Sequence, residues 1–163
     1  MTAEQLIEIL NLKPHPEGGF YAETFRAALP VDSREHPAPR SASTAIYFLL
    51  RSGDFSAFHS VRSDELWHHY LGDSLELTLI DAAGILQREL LGKDFTRGER
   101  PQRVAPRNVL QAASAVDGPH GFVLCGCTVA PGFDFADFEM PTRGALSAAH
   151  PAHAALFQRL CRS

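Results

Sequence analysis

Residues 53–72 read GDFSAFHSVRSDELWHHYLG. Two short runs, FSAFHSV and ELWHHYL, are rich in aromatic and apolar residues and are parted by the polar Arg62-Ser63-Asp64. Runs of that kind suit a pleated, half-buried surface, and the polar tripeptide suits the turn between two antiparallel strands. Residues two apart on a strand share a face, so positions 59 and 61 point the same way while Glu65 returns from the next strand. Gly53 and Gly72 bound the stretch with residues free to take the positive φ of tight turns. His59 and Glu65 thus aim into an otherwise apolar interior, where ionisable groups are costly to bury without a use.

Outward from this stretch the same signals repeat. TAIYFLL precedes it, and LELTLID, ILQRELL, a run near 102–105, VLQAAS and GFVLCGCTV follow, all short and parted by turn clusters such as Gly72-Asp73 and Ala83-Gly84. Eight short strands with such separators predict a meander or Greek-key barrel, a double-sheet jelly roll. Residues 3–11 read as a helix, with Thr2 and Gln5 as a capping box and Leu6, Ile9 and Leu10 as its apolar stripe. FYAETFRA alternates as a strand, and the polar run 30–43 reads as a long loop able to fold over a site. PHPEGG, with His15 and Glu17, reads as an ordinary helix-to-strand turn in preference to a pocket cap. In APGFDFADFE, Asp134 and Asp137 alternate with Phe133, Phe135 and Phe138, which predicts an extended edge used as an interface. The alanine-rich tail predicts a closing helix after Pro151.

The chain has 163 residues, of which 45% are hydrophobic, enough for one core. A single domain over 1–163 is expected, with the N-terminal helix at 3–11, the barrel over about 18–140 and a helical tail at 145–162. The 19 acidic and 15 basic residues give a net charge of -4 and are mixed along the chain. No basic stripe exists to neutralise phosphates, so nucleic acid is not an expected partner. The acidic N-terminal stretch and the lack of an 18-residue apolar run predict a cytoplasmic protein with no membrane partner. Cys125, Cys127 and Cys161 lack zinc-knuckle or thioredoxin spacing and read as buried, reduced thiols. With no dinucleotide fingerprint or phosphate loop, no nucleotide cofactor is expected.

Gly53, five residues, His59, then Glu65 and Gly72 resemble the first cupin motif, in which a second histidine normally stands two after the first. Val61 occupies that place here. Pro106, Asn108 and Gln111 stand where the second cupin motif carries proline, glycine and histidine. Asn tolerates the left-handed backbone that glycine would take, while Gln111 offers a neutral amide in place of an imidazole. LKPHPEGGFYAETFR, STAIYFLL, FHSVRSDELWHHYLGDSLEL, LLGKDFTRGERPQRVAP, VLQAA and CTVAPGFDFADFE together resemble the cupin-like family of unknown function number 985, described as predicted sugar epimerases. That resemblance implies a cupin double-stranded β-helix, mainly β, with short flanking α-helices, a pocket at the barrel mouth and a homodimer formed through outer strands. It departs from such relatives at Asn108 and Leu110, where glycine and tryptophan are expected.

The expected function is binding of a small polar ligand of the sugar type, with epimerase or isomerase chemistry as the first reading. In it His59 removes a proton beside a carbonyl, Glu65 orients the imidazole and Gln111 hydrogen-bonds the developing enolate oxygen. Tyr47 and His69 are candidates for the opposing acid, and Trp67 for stacking on a sugar ring, since counting by twos from Glu65 selects Trp67 and His69. The substrate-binding set is therefore Gln111, Trp67, His69 and Tyr47. A second reading places a divalent metal on His59 and Glu65, with Gln111 or His69 as a further ligand, for isomerase or oxygenase chemistry. A third is a cupin that binds its ligand without turnover.

Overall fold

A computed structural model describes residues 1–162. The PHPEGG turn lies between β1 (Lys13–Pro14) and β2 (Phe20–Arg26), and the polar loop that follows contains a small ribbon of β3 (Pro30–Val31) and β4 (Arg40–Ser41). The long strands are β5 (Thr44–Arg51), β6 (Phe55–Val61), β7 (Asp64–Gly72), β8 (Leu75–Ile80), β9 (Leu86–Leu91), β10 (Gln102–Ala105), β11 (Leu110–Ala115) and β12 (Phe122–Ala130). A last short strand, β13 (Phe138–Glu139), pairs with β6. Among the described residues a six-stranded sheet runs β1-β2-β5-β12-β7-β10 and a five-stranded sheet runs β13-β6-β11-β8-β9.

Period-2 patterning explains how the two sheets close on each other. On β7, Glu65, Trp67 and His69 are buried while Asp64, Leu66 and Tyr70 are exposed. Phe48, Leu50, Trp67 and Cys125 from the larger sheet meet Leu75, Leu77, Leu91 and Ala113 from the smaller in one core. That core fills one end of the barrel and leaves the other hollow.

Helices cover the two outer faces. α1 (Ala3–Ile9) begins at the Thr2–Gln5 capping box and lays Ala3 and Leu6 against Leu49 and Leu124. It is shorter than the expected 3–11, because Asn11 takes a positive φ of 51° and turns the chain toward β1. The tail holds two α-helices, α2 (Arg143–Ala149) and α3 (Ala154–Leu160), the second preceded by a 3-10 turn at Pro151–His153 where the sequence suggested continuous helix. Leu146, Leu156, Phe157 and Leu160 pack on Phe58, Ile80 and Ala112, the outward side chains of the smaller sheet. Strand β6 is therefore buried on both faces, and its inward face is free for polar residues.

APGFDFADFE is not one extended edge. Asp134 accepts from the Ala136 amide and starts a 3-10 turn, Phe135–Asp137, before the chain straightens into β13. Asp137 is buried and takes a two-pronged bond from Arg40, 2.6 Å to Nε and 2.9 Å to Nη2. This bond fastens the 30–43 loop to the rim of the hollow end, since a planar guanidinium matches a carboxylate at two points.

Candidate functional site

The hollow end is a cavity of about 290 Å³. Its inner end is polar: His59 from β6, Glu65 from β7, and His15 and Glu17 from the PHPEGG turn. Phe48, Val61, Phe133 and Phe135 supply apolar wall, and Arg26 with Glu23 stands on β2.

Glu17 reaches this place through its neighbours. Gly18 and Gly19 take φ of 121° and 67°, and a Cβ on Gly18 would lie 2.1 Å from the Phe55 carbonyl oxygen. Only glycine permits that approach. The turn is braced at its backbone: the Ala57 amide and the Arg162 Nε–H both donate to the Glu17 carbonyl, at 2.8 and 3.1 Å. A register shift where β6 faces Gln111 and Ala113 gives β6 one extra residue between Ser56 and His59. Residues three apart ordinarily face opposite sides of a strand, and the bulge brings these two to the same carboxyl group. The Ser56 hydroxyl donates to Glu17 Oε1 at 2.9 Å, and His59 Nε2 lies 3.4 Å from Oε2.

The proton positions follow from the partners. His59 Nδ1 lies 2.8 Å from the Ala57 carbonyl oxygen, which can only accept, so Nδ1 carries the hydrogen and Nε2 presents a lone pair. His15 Nδ1 accepts from the Glu17 amide at 3.3 Å and is 3.5 Å from Glu17 Oε2. Burial pushes the Glu17 carboxyl up to about 8, with Ser56 and the Arg162 charge pulling part of the way back. Burial first and the nearby His59 second bring His15 down to about 4. Burial also lowers His59, against the raising effect of Glu65 and of its bond to Ala57, and raises Glu65. At neutral pH the centre is a protonated Glu17 beside two neutral imidazoles.

Glu65 is held from behind. Its Oε2 accepts from Gln111 Nε2 at 2.7 Å, and Gln111 Oε1 accepts from Trp67 Nε1 at 3.1 Å. The indole only donates, which fixes which way the amide faces.

The expected site residues therefore divide. His59 and Glu65 lie together in the cavity. Gln111 and Trp67 do not line it: both are buried, and they form the relay behind Glu65, so neither faces a ligand. The imidazole of His59 is oriented by its own strand's carbonyl at Ala57, not by Glu65. His69 sits farther along β7 and lines a separate cavity with Asp73 and Glu99, where its Nε2–H donates to the Asp73 carbonyl at 2.9 Å. Tyr47 faces outward, edge-on to Tyr70 and against the cluster under α1. Strand period explains Tyr47, since Ile46 and Phe48 on either side are the inward residues.

In sequence His15 and Glu17 read as an ordinary turn in preference to a pocket cap and Phe133 and Phe135 as an interface edge, and nothing singles out Tyr21; all five line the cavity. A signal was present: two ionisable residues beside paired glycines mark a turn that can approach another backbone closely. Tyr21 holds His15 edge-on at 4.6 Å, and Phe138 lies over His59 at 5.2 Å.

A divalent cation does not fit these residues. Among the described residues no group of three or more His, Cys, Asp or Glu side chains is arranged to hold a metal ion. Val61 brings no donor, and Gln111 spends its oxygen on Trp67 while turning its NH2 toward Glu65. At Gln111 a cation would face amide hydrogens instead of a lone pair, so the expected third ligand is missing.

The family described as Cupin superfamily (DUF985) matches residues 4–141. The chain belongs to this cupin family. A hypothetical protein from Leishmania major is 37% identical with a TM-score of 0.93, each chain covered in full. A Shewanella oneidensis protein is 40% identical over 99% of this chain and 98% of that one, with a TM-score of 0.91. An uncharacterized Saccharomyces cerevisiae protein, YML079W, is 28% identical over 83% of this chain and 73% of its own. Oxalate decarboxylase from Bacillus subtilis shares the fold alone, at 15% identity and a TM-score of 0.56 over 91% of this chain and 37% of that one. The two-sheet barrel is thus the cupin jelly roll, with short flanking helices, as the motif spacing implied.

Proposed function

We propose that this cupin is a proton-transferring isomerase acting on a small hydroxylated carbonyl compound of the sugar type. The observation that carries the reading is the buried Glu17–His59 pair, with carboxyl oxygen and Nε2 3.4 Å apart in surroundings whose burial favours the proton on the carboxyl and disfavours one on the imidazole. His59 Nε2 takes the proton from the carbon beside the carbonyl; the electron pair of that C–H bond forms the carbon–carbon double bond, and the carbonyl π pair moves onto the oxygen. Glu17 gives its proton to that oxygen, leaving a neutral enediol and an imidazolium beside a carboxylate. Return of the proton to the neighbouring carbon, with the oxygen proton moved the other way, completes a 1,2-shift. Charge appears only as an adjacent ion pair, which a buried site stabilises better than a lone charge.

Acid and base stand side by side, which suits a proton shuttled on one face of the substrate better than inversion between two faces. Tyr47 and His69, the candidates for an opposing acid, lie away from the cavity. Isomerisation is therefore favoured over epimerisation.

The test is deuterium exchange: an aldose and ketose panel incubated in D2O with the protein and followed by proton NMR. Wild-type protein is expected to wash deuterium into the carbon beside the carbonyl of at least one member. His59→Asn and Glu17→Gln should each slow this by about 10²–10⁴-fold, the usual contribution of a positioned acid or base. Exchange at the wild-type rate in His59→Asn sinks the assignment.

A further inference from the structure

We infer that the cavity selects an uncharged polyhydroxy compound of one-ring size and discriminates against its carboxylated and phosphorylated counterparts. This rests on the isomerase reading only for the carbonyl; the charge preference stands on the walls.

Binding an anion in a partly buried cavity requires an unspent cation or a cluster of free N–H groups. Among the described lining residues Arg26 is the one permanently cationic side chain. Its fork is already closed on Glu23, 3.0 Å from Nε to Oε1 and 2.7 Å from Nη2 to Oε2, and its Nη1 donates to the Phe133 carbonyl at 3.2 Å. His15 and His59 are the other nitrogen bases, and burial keeps both uncharged. On the acidic side stand Glu65 and Asp134 in addition to the paired Glu23. A carboxylate or phosphate entering here meets carboxyl groups and no free counter-charge.

An uncharged polyol meets what it needs. The Glu17 hydroxyl donates, the His59 lone pair accepts, and Phe48, Phe133 and Phe135 offer apolar area for the C–H face of a ring. The cavity, about 290 Å³, lies at the lower end of the ~300–1,000 Å³ typical of small-molecule pockets, which suits one ring and not a nucleotide-linked one.

Isothermal titration at pH 7 tests this with matched probes: D-glucose, D-galactose and D-xylose against D-glucuronate, D-galacturonate and glucose 6-phosphate. At least one uncharged sugar should bind tenfold or more tighter than its acid or phosphate. Glu23→Gln, which frees the Arg26 fork on an exposed strand, should improve glucuronate affinity several-fold. Tighter binding of the uronates or the phosphate by wild-type protein overturns the inference, as does failure of every uncharged probe to bind. Selective binding of an uncharged sugar with no exchange would sink the isomerase reading and leave the charge preference standing.

Discussion

Gln111 shows how much one amide can decide. It joins Trp67, which only donates, to Glu65, so its oxygen and nitrogen have a forced assignment. Gln111→Leu keeps the volume roughly and strands two buried polar groups, each costing about 1–3 kcal/mol when left without a partner. Urea unfolding of that variant should show a loss of about 2–6 kcal/mol, with the Trp67 signal as reporter. An unchanged midpoint would mean the relay is not formed. Residue chemistry also marks how far a sequence can be read. The convergence of positions 59 and 65 follows from strand period and a polar tripeptide, both local. The approach of Glu17 to His59 depends on positive φ at Gly18 and Gly19 and on an extra residue in β6. Neither leaves a periodic trace, so the turn looked ordinary.

At the level of elements, the long strands were legible because each alternates in step with its burial. The short ones were not. The β3–β4 ribbon and β13 have two residues each in a strand, too few for any period, and the Arg40–Asp137 bond ties the ribbon to the turn that leads into β13. Helix α3 has a larger part than its length suggests. Phe157 is fully buried and packs edge-on against Phe58 at 5.2 Å, on the reverse side of the strand that carries His59. Phe157→Ala should cost about 3–5 kcal/mol in chemical denaturation, the usual range for emptying an aromatic site. Hydrogen exchange should quicken in β6 and less in β2. Equal quickening throughout would show that α3 does not support β6 selectively.

For the molecule as a whole, the buried centre sets how stability follows pH. Glu17 rises from 4.5 to about 8 on folding, so the native state holds a proton the unfolded chain has lost. Its contribution is complete below 4.5 and gone once pH passes about 8. His15 falls from 6.5 to about 4, so its contribution is complete above 6.5 and is lost on the way down to 4. His59, also lowered, adds to the His15 slope, and Glu65, also raised, adds to the Glu17 slope, so the opposing slopes meet between about 4.5 and 6.5 and the raised carboxyls act above it. Thermal melts should give a plateau over that window and a falling limb from 6.5 to 8, and Glu17→Gln should make the limb shallower. A limb equally steep in Glu17→Gln would place its cause elsewhere. The bond from Arg162 to the Glu17 carbonyl spans 145 positions of sequence. A ribosome makes the turn early and the guanidinium late, so a nascent chain halted before α2 would possess every strand of the barrel. It would still lack the cover over Phe58 and the brace on the Glu17 carbonyl, both of which arrive with the residues of α3 and Arg162.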